Sequence, residues 1–260
     1  MPNELRPPRL DHVVVNVRQN LGAAAARYET LGFTLTAPSR HTLGSMNRLA
    51  LFDDHYLELL GIDPEAAQPR AELLRSVLGL NAIVFATDDA AQLYRTLQAR
   101  GAPVQAPMDF SRPVAGAGEA RFRTVHVAAD AVPYGRLYFC QHLTRDIVWG
   151  AASHAHRNAA IGVARIVIEA RDPAAEAMLY RGLFGEESVR EEGASFVVAL
   201  GPARLDLRQA ERDRIASLTL RTRSLAATRR ALTGQNYSDG GDRLVSRETV
   251  SDGILEFVEG

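Results

Sequence analysis

Apolar and β-branched residues fall in short runs along the chain, each bounded by turn-forming or polar residues, and these runs alternate with Ala- and Leu-rich stretches of helical composition. Residues 10–17 (LDHVVVNV) form a β-branched run that predicts a strand. Residues 21–31 are Ala-rich and stop at Gly32, which predicts a helix with a glycine stop. Three further extended runs follow at 33–36, 48–52 and 56–60, separated by Gly44, Asp53 and Asp54. The unit reads βαβββ.

The same order recurs. Residues 80–86 (LNAIVFA) predict a strand, 89–100 a helix ended by Gly101, and later strands fall near 122–127 and 136–141. A third unit opens at 163–169 (VARIVIE), with Asp172 and Pro173 where a helix cap and a first-turn proline belong, a helix through 174–183 to Gly185, and strands near 196–200 and 203–207. The fourth opens at 215–221 (IASLTLR), with a helix around 225–232 ended by Gly234 and a last strand at 253–258.

Four βαβββ units give an α+β fold, paired into two cup-shaped domains of mixed, mainly antiparallel sheet. A strongly twisted sheet of eight strands curls into such a cup. Two linkers interrupt the rhythm, at 63–78, which looks partly helical, and at 144–161. The second is the expected boundary between a domain over 1–150 and a shorter one of the same type over 160–260, the latter without a metal site. His154 and His156, in that linker, are expected to be exposed.

Composition narrows the class of partner. Thirty basic and 31 acidic residues with no block of one sign leave no electrostatic footprint for nucleic acid. The single cysteine, Cys140, has no internal partner, and residues 1–9 lack the apolar core of a signal peptide. No apolar run approaches the roughly 20 residues that cross a bilayer. These features point to a cytoplasmic protein with a small-molecule partner, no nucleic acid and no membrane. A homodimer through the carboxy-terminal half is the candidate assembly.

LDHVVV with His12, HTLGSMN from His41 to Asn47, YLELL from Tyr56 to Leu60 and the FCQHLT stretch ending at Thr144 together resemble the glyoxalase-like domain family of the vicinal oxygen chelate superfamily. That superfamily includes glyoxalase I, extradiol dioxygenases and bleomycin-resistance proteins. The resemblance covers the first 150 residues well and the rest in pattern only. It implies a divalent metal inside the cup, held by side chains from the first and last strands of each unit, and in unit one those are His12 and Glu58. An imidazole and a carboxylate suit Zn, Fe(II), Mn or Ni without choosing among them.

The residues support part of this on their own. With Leu57 and Leu59 facing the helices, strand alternation turns Tyr56 and Glu58 into the cup. A carboxylate in a partly dehydrated interior needs a metal, a basic residue or a proton beside it, and Arg48 is the rival to a metal. In unit two, Ala82 stands where a second histidine would belong. In the last strand of that unit, alternation puts Tyr138, Cys140 and His142 toward the cup. That makes His142 the preferred third ligand, with Gln141 as rival or as a substrate hydrogen-bonding group if the register shifts by one. His41 and Asn47 flank the Gly44 turn and are candidate substrate-binding residues with Tyr56 and Gln141, while Glu58 is the candidate catalytic group. Cys140 is expected to be packed in the interior.

The carboxy-terminal half has Arg165 at the position of His12, Ser217 at the corresponding place in unit four, and Glu256 at that of Glu58, with an Arg165–Glu256 ion pair expected in place of a metal. The leading function is a metal-dependent enzyme of glyoxalase type with isomerase or lyase chemistry on a small oxygen-rich molecule. The alternative is a non-enzymatic small-molecule binding or sequestering protein like the bleomycin-resistance relatives. No cofactor other than a metal is expected, since the GAGEA run near Gly116 lacks the context of a nucleotide loop.

Overall fold

The computed structural model describes residues 7–247 and 254–260. The first strand, β1 (Leu10–Arg18), puts Val13, Val15 and Val17 into one core with Ala24, Ala25 and Tyr28 of α1 (Leu21–Thr30). Gly32 follows that helix with φ 91°, a left-handed conformation that a side chain disfavours, and a Cβ there would lie 2.9 Å from the backbone nitrogen of Asn158. The chain continues through β2 (Ser39–Arg40), β3 (Ser45–Leu51) and β4 (Tyr56–Ile62), a short helix α2 (Glu72–Arg75), and the second unit. That unit comprises β5 (Gly79–Ala86), α3 (Ala90–Ala99), β6 (Met108–Val114), β7 (Gly118–His126) and β8 (Arg136–His142). After α4 (Arg145–Trp149), the third unit is β9 (Ala160–Ala170), α5 (Pro173–Phe184), β10 (Val189–Glu192), β11 (Ser195–Leu200) and β12 (Ala203–Gln209). The fourth is β13 (Arg214–Thr222), α6 (Leu225–Ala231), β14 (Tyr237–Asp239), β15 (Arg243–Arg247) and β16 (Ile254–Glu259).

These strands form two eight-stranded sheets, ordered β2-β3-β4-β1-β5-β8-β7-β6 and β10-β11-β12-β9-β13-β16-β15-β14. Pairing is parallel at β1–β4 and β5–β8, and at β9–β12 and β13–β16, and antiparallel elsewhere. The α+β fold of paired βαβββ units is therefore the observed one. Asp172 accepts a hydrogen bond from the Ala175 backbone nitrogen at 3.0 Å and Pro173 opens α5, as expected from the sequence. Residues 33–36 are not a strand. The outer pairing partner of β3 is the two-residue β2, and the short strands β10, β14 and β15 and the polar β6 also went unforeseen. The expected start of the last strand, Gly253, lies outside the described residues.

The first sheet curls until its edges meet. Thr42 donates its backbone N–H to the Ser111 carbonyl at 2.9 Å, and Ser39 Oγ donates to the Pro113 carbonyl at 2.5 Å, tying the β2 end to β6. None of the described hydrogen bonds joins β10 to β14 in the second sheet. Behind both sheets the helices share one core. Phe85 and Phe139 of the first sheet pack on Phe184 of α5 at ring separations of 4.8 and 5.6 Å, and Tyr134 and Tyr180 share a hydrogen bond at 2.8 Å. Each such buried aromatic stabilises the fold by about 1.5–3 kcal/mol. His55 adds a polar tie, its Nε2 accepting the Val163 backbone N–H at 2.8 Å.

The linker is more than a boundary. Trp149 and Val148 of α4 enter the apolar cluster inside the first sheet. His156 is buried rather than exposed: its Nδ1 accepts from the Thr34 backbone nitrogen at 3.0 Å and its Nε2 faces the Leu51 carbonyl at 3.1 Å. A linker crossing the back of a sheet must satisfy the chain ends it covers, and His156 does so for two of them. His154 is partly exposed and meets the Trp149 carbonyl.

Candidate functional site

Alternation on β4 places Leu57 and Leu59 in the helix-side core and Tyr56, Glu58 and Leu60 inside the sheet. On β1, His12 and Val14 face inward, and the His12 ring stacks on Tyr56 at 4.4 Å and 10°. His12 Nε2 lies 3.2 Å from the Tyr138 hydroxyl and 3.7 Å from Glu58 Oε2. Asn47 Nδ2 donates to Glu58 Oε1 at 2.6 Å and approaches His41 Nε2 at 3.2 Å, and His41 Nδ1 meets Ser45 Oγ at 2.9 Å. His12, His41, Asn47, Tyr56 and Glu58 thus line one pocket, together with Arg112 and Tyr138. Arg48 turns away to Glu29 at 2.8 Å, so it is not the partner of Glu58.

The pocket holds about 30 Å³, room for a water or an ion rather than an organic molecule. Phe110 and Phe122, stacked at 4.9 Å, fill much of the closed sheet. Two buried atoms there lack a hydrogen-bond partner, the acceptor Asn47 Oδ1 and the donor Arg112 Nε.

Burial raises the Glu58 carboxyl, but His12, His41, the Asn47 hydrogen bond and Arg112 together outweigh it and leave the pKa below its ordinary value. Burial pulls His41 down to about 4, with Glu58 opposing and Arg112, Arg70 and His12 adding to the fall, so His41 is neutral near pH 7. With Asn47 Nδ2 donating to Nε2, the remaining proton of His41 is on Nδ1, toward Ser45.

One residue of this network carried no signal in the sequence. The register of β1 against β5 slips between Leu10 and His12, a bulge that leaves Asp11 as the extra residue. Asp11 Oδ1 sits 2.5 Å from His12 Nδ1 and 3.1 Å from His142 Nε2. Burial raises this carboxyl, yet the two histidines hold it well below the usual carboxylate range.

β8 has no register shift against either neighbour, so Cys140 and His142 face inward and Gln141 outward. Gln141 is therefore not a cup residue: its side chain accepts from the Ala90 backbone nitrogen at 3.1 Å, at the start of α3, and donates to the Asp88 carbonyl at 2.8 Å. His142 is inside the sheet but does not line the pocket of His12 and Glu58, because Asp11 stands beside it and engages its Nε2. Cys140 is 2% exposed, as expected.

The strand register explains what stands in the equivalent places of each unit. Val14 pairs with Glu58 and Val84 with Tyr138, so Ala82 takes the place of His12 and Tyr138 that of Glu58 in unit two. In unit three Val167 pairs with Asp206 and in unit four Thr219 pairs with Glu256, so Asp206 as well as the expected Glu256 stands in the place of Glu58. Arg165 accordingly pairs with Asp206 through Nε at 2.6 Å rather than with Glu256. Arg204 and Arg208 also converge on Asp206, while Glu256 accepts from Thr219 Oγ1 at 2.8 Å. An arginine and a carboxylate neutralise each other where the first sheet has an imidazole and a carboxylate.

A second space, of about 500 Å³, opens between the two sheets. Asp11, Cys140, His142 and Arg145 line it from the first sheet side, and the Leu200–Ala203 turn between β11 and β12 from the other. Among the described residues no helix is long and apolar enough to cross a membrane.

Comparisons with known proteins agree with this architecture. The model of a glyoxalase-like domain family matches residues 10–184. No curated protein matches the sequence. A hypothetical protein from Staphylococcus aureus superposes with TM-score 0.75 at 12% identity, covering 97% of this chain and 100% of its own. A mutant 4-hydroxymandelate synthase from Streptomyces coelicolor gives 0.63 at 13%, covering 100% and 93%. The Mn(II)-bound glyoxalase from Novosphingobium aromaticivorans gives 0.60 at 11%, covering 98% and 82%. At such identities the likeness is one of fold.

Proposed function

Because the chain belongs to the glyoxalase-like domain family, within the vicinal oxygen chelate superfamily, we propose that it is a metal-dependent enzyme of isomerase or lyase type acting on a small oxygen-rich molecule in the cytoplasm. His12 and Glu58 are the metal-holding pair. The observation that carries this reading is their separation: Nε2 and Oε2 are 3.7 Å apart, facing one ion-sized pocket. Two bonds of about 2.1 Å reach at most about 4.2 Å, so His12 and Glu58 would hold one ion between them once the Tyr138 hydroxyl, 3.2 Å from Nε2, gives way. The Mn(II) in the Novosphingobium glyoxalase is consistent with such a site.

A divalent ion held by His12 and Glu58 would supply Lewis-acid stabilisation of negative charge on a substrate oxygen. The protein's own groups divide the remaining work. Asp11 holds His12 Nδ1 and thereby directs Nε2 into the pocket. Glu58, ionised near neutrality with Oε1 anchored by Asn47, has Oε2 turned to the pocket, where it would hold the ion. The unpartnered Asn47 Oδ1 and Arg112 Nε offer an acceptor and a donor in the same pocket, which has to widen before an organic substrate reaches them. His41 and Tyr56 fix these groups rather than exchange protons.

One observation favours the alternative reading, a non-enzymatic binder. Ala82 supplies no donor and the cup is too small for an organic ligand, whereas the space between the sheets is not. Elemental analysis of freshly purified protein beside His12→Ala and Glu58→Ala separates the two. Loss of one equivalent of metal in both variants is the expected result. A wild-type protein that neither carries nor takes up Zn, Mn, Ni or Fe(II) refutes the enzyme reading and leaves the binder.

A further inference from the structure

The interface between the sheets contains a second group of ligating atoms, distinct from the His12–Glu58 pair. A carboxylate oxygen of Asp11, the Cys140 sulfur and a ring nitrogen of His142 all lie within 4.8 Å of one another. All three residues line the 500 Å³ space between the sheets, and none of this depends on how the cup is read. We infer that Asp11, Cys140 and His142 form a thiolate-containing site for a Zn(II)-class ion, with its remaining coordination position open to that space.

Three features carry the inference. First, the donor set is selective: a thiolate with an imidazole favours Zn(II) over the hard ions that prefer all-oxygen sites, and three protein ligands with an open position is the arrangement of reactive rather than purely structural zinc. Second, the His142 side chain is 5% exposed and its one engaged nitrogen, Nε2, lies 3.1 Å from Asp11 Oδ1, so an ion shared by the two residues takes the place of that hydrogen bond. Third, Asp11 Oδ1 serves both histidines, and neither contact uses Oδ2, which leaves one carboxylate oxygen for an ion.

The placement follows from the chain. Cys140 and His142 are two residues apart on β8 and share its inner face, and the β1 bulge pushes Asp11 toward them. Cys140 borders both the cup pocket and the space between the sheets, so an ion bound here lies behind the wall of the cup. Binding replaces the S–H bond of Cys140 by a metal–sulfur bond and releases that proton to water. A ligand reaching the open position enters between the sheets, past the Leu200–Ala203 turn and Arg145. A neutral oxygen donor, a water or a carbonyl, suits that position, because the Asp11 carboxylate and the Cys140 thiolate already balance the +2 charge of the ion.

Cobalt(II) tests the site in the full-length protein, since a thiolate bound to Co(II) gives a charge-transfer band in the near ultraviolet and a histidine–carboxylate site does not. Cys140 is the single cysteine, so any such band reports this sulfur. The expected result is a saturable band in the wild type and in Glu58→Gln, abolished in Cys140→Ser, weakened at least tenfold in apparent affinity in His142→Ala, and displaced by Zn(II). Co(II) binding in the wild type without the band, or a band unaffected by His142→Ala, overturns the three-ligand site. The wild-type and Glu58→Gln titrations need no variant at the site, so a misfolded Cys140→Ser does not obscure the answer. A band with no metal in the cup sinks only the cup reading, and cup binding without the band sinks only this one.

Discussion

Asp11 and His12 are adjacent on one strand, yet their side chains meet, with Oδ1 2.5 Å from Nδ1. Neighbours on a regular strand point to opposite faces, and it is the slip in register between Leu10 and His12 that lets this pair touch. The contact fixes the orientation of an imidazole whose other nitrogen faces Glu58.

Asp11→Asn is nearly isosteric and removes the charge on that contact. Metal affinity at the His12–Glu58 pair should fall by about 10- to 100-fold, as when the outer partner of a ligating histidine is lost. Competition titration against a chelator measures it, and an unchanged affinity would show that His12 is oriented by packing on Tyr56 instead.

Acid should destabilise the protein well before Asp11 and Glu58 titrate, although Glu176, raised to about 7 mainly by burial, offsets about one histidine's share. His41, His126 and His156 are each depressed to about 4, mainly by burial. Their unfolded counterparts take up a proton near pH 6.5. Between about pH 6.5 and 4 the unfolded state therefore binds more protons, and stability falls as pH falls, by about 1.4 kcal/mol per pH unit for each histidine fully in that window. Asp11 and Glu58, also depressed, add to the loss only as pH drops below about 4. Urea midpoints at pH 7 and 5 check this; equal midpoints would contradict it.

Gln141→Ala should leave metal binding at the His12–Glu58 pair intact, because its side chain faces the start of α3 and the space between the sheets, not the cup. Losing that hydrogen bond costs about 0.5–1.5 kcal/mol in chemical denaturation. A large change in metal affinity at that pair with no loss of stability would place Gln141 in the cup after all.

Asp206→Ala removes the carboxylate on which Arg165, Arg204 and Arg208 converge. Asp206 is 3% exposed. Breaking a buried pair costs about 3–5 kcal/mol, and the low end applies because Arg165 keeps 23% of its side chain in solvent. Denaturant titration beside Arg165→Leu/Asp206→Leu should show the double variant as the more stable of the two.

The strands with a clear apolar face were legible in the chain, because alternation on β1, β4 and β8 is a local property that packing against helices only ratifies. Hence the four units, the inward turn of His12, Tyr56 and Glu58, and the burial of Cys140 follow from the order of residues. The two-residue β2, the short β10 and β14, and the polar β6 have no such signature; they exist because a neighbouring strand offers its unpaired N–H and C=O groups. The same holds for the site. Asp11 depends on a bulge set by β5, Arg112 arrives on β6 from the far edge of the closed sheet, and His142, turned inward by its own strand, is engaged by Asp11 instead of reaching the His12–Glu58 pocket. Local sequence determines which face a side chain takes. Which groups meet across a face depends on register and closure, and those are set by partners distant in the chain.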